Sequence, residues 1–236
     1  MKNVSRLLLY SLIFNPLLLN AESYTFSGGK NNLAHTIAAE VLVKAYKKAN
    51  IDIKPLFLTL QESLQRSNSG ETDGELARIN AIPRFSPNLN KVPVSITSVE
   101  AVAFSKNTSL FINDWSDLRG HKLTIVKGAK FIETETKDLK RNLVATFEDA
   151  LHLLQSDKTE IIVIPKLASI NLIYQNKYHD IKPISNSLKR LKLYHFVHKK
   201  NLHLIPVITP ILQAMEKSGE IEFIRKATLI KAAKKF

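Results

Sequence analysis

Residues 91–105 form a long β-rich run: Val92, Val94 and Ile96, then Val99, Ala101, Val102, Ala103 and Phe104. No helical spacing interrupts it. A second such run spans 191–198. Strands of this length leave one packed unit and enter another, so they constrain the fold more than any other feature of the chain. On either side, short strands alternate with helical patterns. Residues 24–27 read as a strand ending in Gly28-Gly29. Leu33, Ile37, Val41 and Ala45 then recur at helical spacing, and Asn50 ends that pattern. A strand at 53–58, a Thr59-capped helix at 60–66 and a strand at 72–79 complete a β-α-β-α-β unit. After the first long run come a helical turn at 114–120, a strand at 122–126, and a helix from Gly128-Ala129 to about 138. Strands at 142–146 and 161–164 and helices at 147–155 and 166–175 follow. Helices at 202–216 and 220–234 close the chain. The spacing predicts an α/β fold with two open α/β lobes of mainly parallel sheet. The first lobe comprises residues 22–103 and 196–236, the second 104–195, and the two strand crossings make a hinge. A cleft between hinged lobes is a preferred ligand site.

The first 21 residues carry a signal of another kind. Lys2 and Arg6 precede a mostly apolar stretch at 7–19, and Asn20-Ala21 places a small residue before polar sequence. This is the pattern of a cleavable secretory signal peptide, cut after Ala21. A spanning helix needs about 20 apolar residues, and Asn15-Pro16 interrupts this stretch. The reading places the mature protein in the periplasm. With no cysteine in the chain, thiolate catalysis, disulfides and cysteine-bound metal are excluded. The formal charge of +13 favours anionic neighbours. The lysines are dispersed, and no nucleic-acid-binding motif is present.

Arg78 follows Asp73-Gly74-Glu75 at the C-terminal end of a strand, where ligands sit in open α/β sheets. Its guanidinium suits a carboxylate; a surface pair with Glu75 or Glu71 is the bland alternative. Ser27-Gly28-Gly29 lies at another strand end before a helix, where backbone can approach a ligand. Gly128-Ala129-Lys130 is the equivalent place in the second lobe, with the Lys130 charge added. The seven histidines are scattered. His195 and His198 lie three apart on a strand and face opposite sides, poor metal geometry, so structural or surface roles are expected. No G-x-S-x-G, H-E-x-x-H or phosphate-loop sequence occurs, and no cofactor is called for. Phe26, Phe85, Trp115 and Tyr194 are candidates to line the cleft or fill the core.

Three stretches, taken in order, resemble the bacterial periplasmic solute-binding proteins of the family-3 type. They are residues 69–79 with Asp73-Gly74, residues 115–123 with Leu118, Gly120 and Lys122 and then Gly128, and residues 193–200 followed by the helix ending at 215–221. The resemblance covers nearly all of the mature chain. It implies a two-lobed clamp that closes on a small polar solute and, as a monomer, serves an ABC transporter permease or a membrane sensor. Relatives place a carboxylate-binding arginine somewhat further along lobe one, which makes Arg84 a rival to Arg78. Many amino-acid-binding relatives carry an acid after the strand corresponding to 160–164. Here Pro165-Lys166 stands instead, so an ammonium would meet a lysine, and an anionic or carboxylate-bearing solute is favoured. A few relatives are dehydratases; for such a lyase Glu75 is the lobe-one acid. A ligand-free interaction module is the third reading.

The mature protein is expected to begin at Glu22. Intact-mass measurement of periplasmic material checks this, and a full-length species held in the membrane fraction would contradict it.

Overall fold

The computed structural model describes residues 23–234; the segment read as a signal peptide lies outside the described residues. The chain begins with β1 (Ser23–Gly29), α1 (Leu33–Lys48), β2 (Asp52–Leu58), α2 (Leu60–Ser69) and β3 (Gly74–Ile79). The long β4 (Leu89–Ser105) leads to β5 (Leu123–Val126), α3 (Lys130–Glu135), β6 (Arg141–Val144), α4 (Phe147–Gln155), β7 (Ile161–Pro165) and α5 (Lys166–Gln175). The short β8 (Lys182–Pro183) precedes β9 (Lys189–His198), α6 (Leu204–Lys217) and α7 (Glu220–Ala233). No helix among the described residues is long and apolar enough to cross a membrane.

Three of the helices, α1, α2 and α4, start where a side chain satisfies an open amide. Asn32 accepts from the Ala34 N–H at 3.1 Å and Thr59 from the Glu62 N–H at 3.2 Å. Thr146 and Asp149 bond reciprocally at the start of α4. α2 ends at Gly70, with φ of +83°. α3 is shorter than its sequence pattern. The Arg141 guanidinium donates to the Glu133 carbonyl at 2.8 Å, the oxygen that the Lys137 amide would use in a further turn. The strand expected at 142–146 ends at Val144 because Thr146 becomes the cap of α4.

The strands form one hydrogen-bonded path in the order β2-β1-β3-β9-β4-β7-β5-β6, with β8 against β4. Parallel trios lie at its two ends: β2, β1 and β3 at one, β7, β5 and β6 at the other. β4 and β9 pair antiparallel between them from Leu89↔His198 to Ala101↔Lys189. The boundaries drawn at 103/104 and 195/196 fall inside these two strands. Core packing is dense around them, with Phe26, Leu42, Tyr46, Leu76 and Phe196 fully buried. Each such side chain contributes roughly 1.5–3 kcal/mol by leaving water.

Where β3 meets β9, Gly74 has φ of +152° and a Cβ there would lie 2.1 Å from the Phe196 carbonyl oxygen. Gly74→Ala is expected to cost about 3 kcal/mol or more, because strained backbone and a backbone clash coincide. Gly120→Ala, also at positive φ but with nothing within 4 Å, should cost only about 1–2 kcal/mol. Urea denaturation of the two variants provides the comparison.

Candidate functional site

Residues i and i+3 of a regular strand point to opposite faces. Glu75 and Arg78 nevertheless share a side, because Glu75 is opposite Phe196 and Arg78 opposite Tyr194: three steps on β3 against two on β9. That one-residue slip turns the Arg78 guanidinium back onto Glu75. Nε donates to Glu75 Oε2 at 2.9 Å and Nη2 to Oε1 at 3.1 Å. Ser63 and Ser67, one turn apart on the inner face of α2, also donate to Glu75, at 2.8 and 2.9 Å. The carboxylate is fully buried and the arginine is 5% exposed. Arg78 reaches further. Nη2 donates to the Leu60 carbonyl at 2.8 Å, and Nη1 crosses to the Gly128 carbonyl in the other half at 3.3 Å.

The Gly128 turn sits directly on the start of α2. Gly128 has φ of +87°, and a Cβ there would lie 2.5 Å from both the Gln61 nitrogen and the Leu60 carbonyl carbon. Its own N–H donates to Glu133 Oε1 at 2.6 Å, and Lys130 Nζ binds Glu133 Oε2 at 2.7 Å. Lys130 also stands 5.7 Å over the Phe85 ring, linking the halves again. The space left between the halves, lined by His35, Arg78, Gly128, Ala129, Lys130 and Pro165 among others, is about 40 Å³. That is room for about three waters.

Beyond the shared wall of Ile79 and Phe131 lies a second interlobe space of about 390 Å³. Arg84 and Phe85 line it from the first half, Thr134 and Glu135 from the second, and Lys192 and Tyr194 from β9. Glu135 pairs with Lys189, another lining residue. Arg84 and Lys192 are exposed, and their side chains have no ion-pair or hydrogen-bond partner among the described residues.

No family model matches the chain. An uncharacterised protein of Shewanella oneidensis is 23% identical over 167 residues, 65% of this chain and 61% of that protein. The chain thus spans about three-fifths of the length of the curated relative it matches. A histidine kinase sensor domain with similarity to periplasmic binding proteins superimposes with a TM-score of 0.76 at 17% identity, covering 88% of this chain and 96% of its own. An amino acid ABC transporter substrate-binding protein from Streptococcus pneumoniae, bound to L-arginine, gives 0.74 at 13% identity over 89% and 95%. An ancestral arginine-binding protein bound to arginine gives 0.72 at 16% identity over 87% and 97%. The chain has the two-lobed periplasmic-binding-protein fold. At these identities the likeness is one of fold.

Within that fold the sequence-marked residues divide. Arg78, Gly128, Ala129 and Lys130 converge on the small central cavity. Glu75 lies behind Arg78 and Ser27 deeper still, where its hydroxyl bonds the Ser63 carbonyl at 3.2 Å and Thr72 Oγ1 at 3.1 Å. Gly29 gives its N–H to His35, and Gly28 packs on His35 and Leu76. Arg84 stands in the adjoining space. Arg78 is therefore neither a surface residue nor an open fork: Glu75 and the Leu60 and Gly128 carbonyls accept its hydrogen bonds. Lys166 is exposed and lines a groove on the second half, so Pro165 alone represents that pair at the cavity. Phe26 is core, Trp115 is half-buried, and Phe85 and Tyr194 line the larger space.

Two histidines are structural, and the role of His35 was not legible in the sequence. His35 Nδ1 accepts the Gly29 N–H at 2.8 Å, which leaves the proton on Nε2. Burial and the nearby Arg78 charge push its pKa down to about 3. His195 Nδ1–H donates to the Glu75 carbonyl at 2.7 Å, so Nε2 accepts from the Tyr46 hydroxyl at 2.9 Å. Burial lowers its pKa to about 4, against the opposing effect of that backbone bond. An asparagine cap at 32 followed three residues later by an otherwise helical histidine was the only local hint.

Both histidines bind a proton more readily unfolded than folded, so stability must rise with pH over this window. It should be full above pH 6.5 and fall toward pH 4 by about 1.4 kcal/mol per unit for each histidine. Urea denaturation across pH 4.5–7 checks this, and His35→Gln should flatten the slope.

Proposed function

We propose that the chain is a non-catalytic periplasmic solute-binding module. It holds a small polar solute, anionic or carboxylate-bearing, between its halves and presents it to an ABC-type transporter or a membrane sensor. The observation that carries this reading is the pair Arg84 and Lys192. Two cations without counter-ions stand at an interlobe space large enough for a small solute, with aromatic walls from Phe85 and Tyr194. A ligand there touches both halves and so favours their closure. The structural relatives support solute binding in general: two hold arginine and one belongs to a sensor kinase. Binding is favoured over a dehydratase-like reaction because Glu75, the acid that chemistry would use, is enclosed by Arg78, Ser63 and Ser67. The small central cavity favours one rival reading, a ligand-free interaction module, which predicts that no solute binds.

A thermal-shift survey of organic acids, followed by calorimetry, tests the assignment. An acidic solute should raise the melting temperature by mass action. The double variant Arg84→Ala/Lys192→Ala should then bind it at least about tenfold more weakly, roughly 1.4 kcal/mol. Preference for a basic solute such as arginine would overturn the proposed ligand class.

A further inference from the structure

The charged groups around the central cavity that suit an anion carry internal partners. Arg78 donates hydrogen bonds to Glu75, the Leu60 carbonyl and the Gly128 carbonyl. Glu133 takes both the Gly128 N–H and the Lys130 ammonium. The Gly29 N–H goes to His35. Two buried or half-buried cations are thus matched by two carboxylates, and the wall of the cavity is electrically balanced. Burying a guanidinium is tolerable only with such pairing.

We propose that Glu75 and Glu133 are tethered counter-ions that occupy the positions a solute carboxylate would take. They close the central cavity to acidic solutes and let the halves meet without one. The inference refines the proposed function, since it leaves the Arg84–Lys192 space as the place where an acid can bind. Three arguments support it. A solute at Arg78 would have to displace a carboxylate that two serine hydroxyls also hold. A tethered, oriented group outcompetes a free one. The displaced Glu75 would remain buried and unpaired, which is costly. Glu75 is therefore a specificity-determining residue, and its removal should create a carboxylate site where the chain now has none.

Formate and acetate serve as probes, with sodium chloride at matched ionic strength as the reference. Wild-type protein should show no carboxylate-specific thermal stabilisation through Arg78. Glu75→Ala vacates the side-chain volume and leaves the guanidinium uncompensated. It should be less stable than wild type yet bind acetate or formate at least about tenfold more tightly. Should that variant fold only when formate or acetate is present, the same conclusion follows. A folded Glu75→Ala without carboxylate-specific stabilisation overturns the inference. A second measurement needs no folded variant: the Arg78 Nε–H resonance of the wild type. It should exchange slowly with solvent and keep its shift at tens of millimolar acetate. A saturable shift there means that a free carboxylate reaches Arg78, and the tethered counter-ion reading fails. Neither probe depends on the natural solute, so these outcomes are independent of the Arg84→Ala/Lys192→Ala test.

Discussion

The antiparallel pairing of β4 with β9 is the contact on which everything else is hung. These strands run from the first parallel trio into the second, so their ladder holds the halves in one sheet path. The contact joins segments about a hundred residues apart, and closing so large a loop carries an entropic cost that local helix formation does not. The other edge of β9 pairs with β3, and that register decides which face each β3 side chain takes. The slip between Glu75 and Arg78 is a property of β3 against β9, and it creates the buried ion pair.

That pair shows how a charge is made tolerable inside a protein. Glu75 accepts from Ser63, Ser67 and Arg78, and Arg78 spends its remaining reach on two carbonyls. These partners offset the desolvation penalty; with one charge gone, the other is left charged and dry, which typically costs about 3–5 kcal/mol. The bond from Arg78 to the Gly128 carbonyl ties the same network to the second half. Gly128 makes that approach possible, since any side chain there would meet the backbone of α2. The closed arrangement and the internal neutrality of the cavity are two aspects of one network.

The large positive charge of the chain is consistent with this accounting. Lysines and arginines that meet carboxylates contribute structure and little field. Arg84 and Lys192, two of the cations without partners, leave their charge available at the larger interlobe space. Phe85 links the two regions, with Lys130 over its ring and a place in the wall of the space that Arg84 lines.

Much of the fold was legible along the chain because its signals are local. Helical spacing placed α1, Thr59 marked a helix start, and the uninterrupted runs near 91–105 and 191–198 announced two long strands. The out-and-back order of two α/β halves follows from these alone. Other features depend on meetings between distant residues. The end of α3 was set by Arg141 reaching back to the Glu133 carbonyl. The fate of Arg78 was set by the register of β9 and by the serine pair on α2. The small volume of the central cavity was set by the Gly128 turn resting on Leu60 and Gln61. Periodicity and capping report what each segment forms. Only tertiary contact decides which charges find each other and how much space remains between them, because both depend on distances across the fold rather than on spacing along the chain.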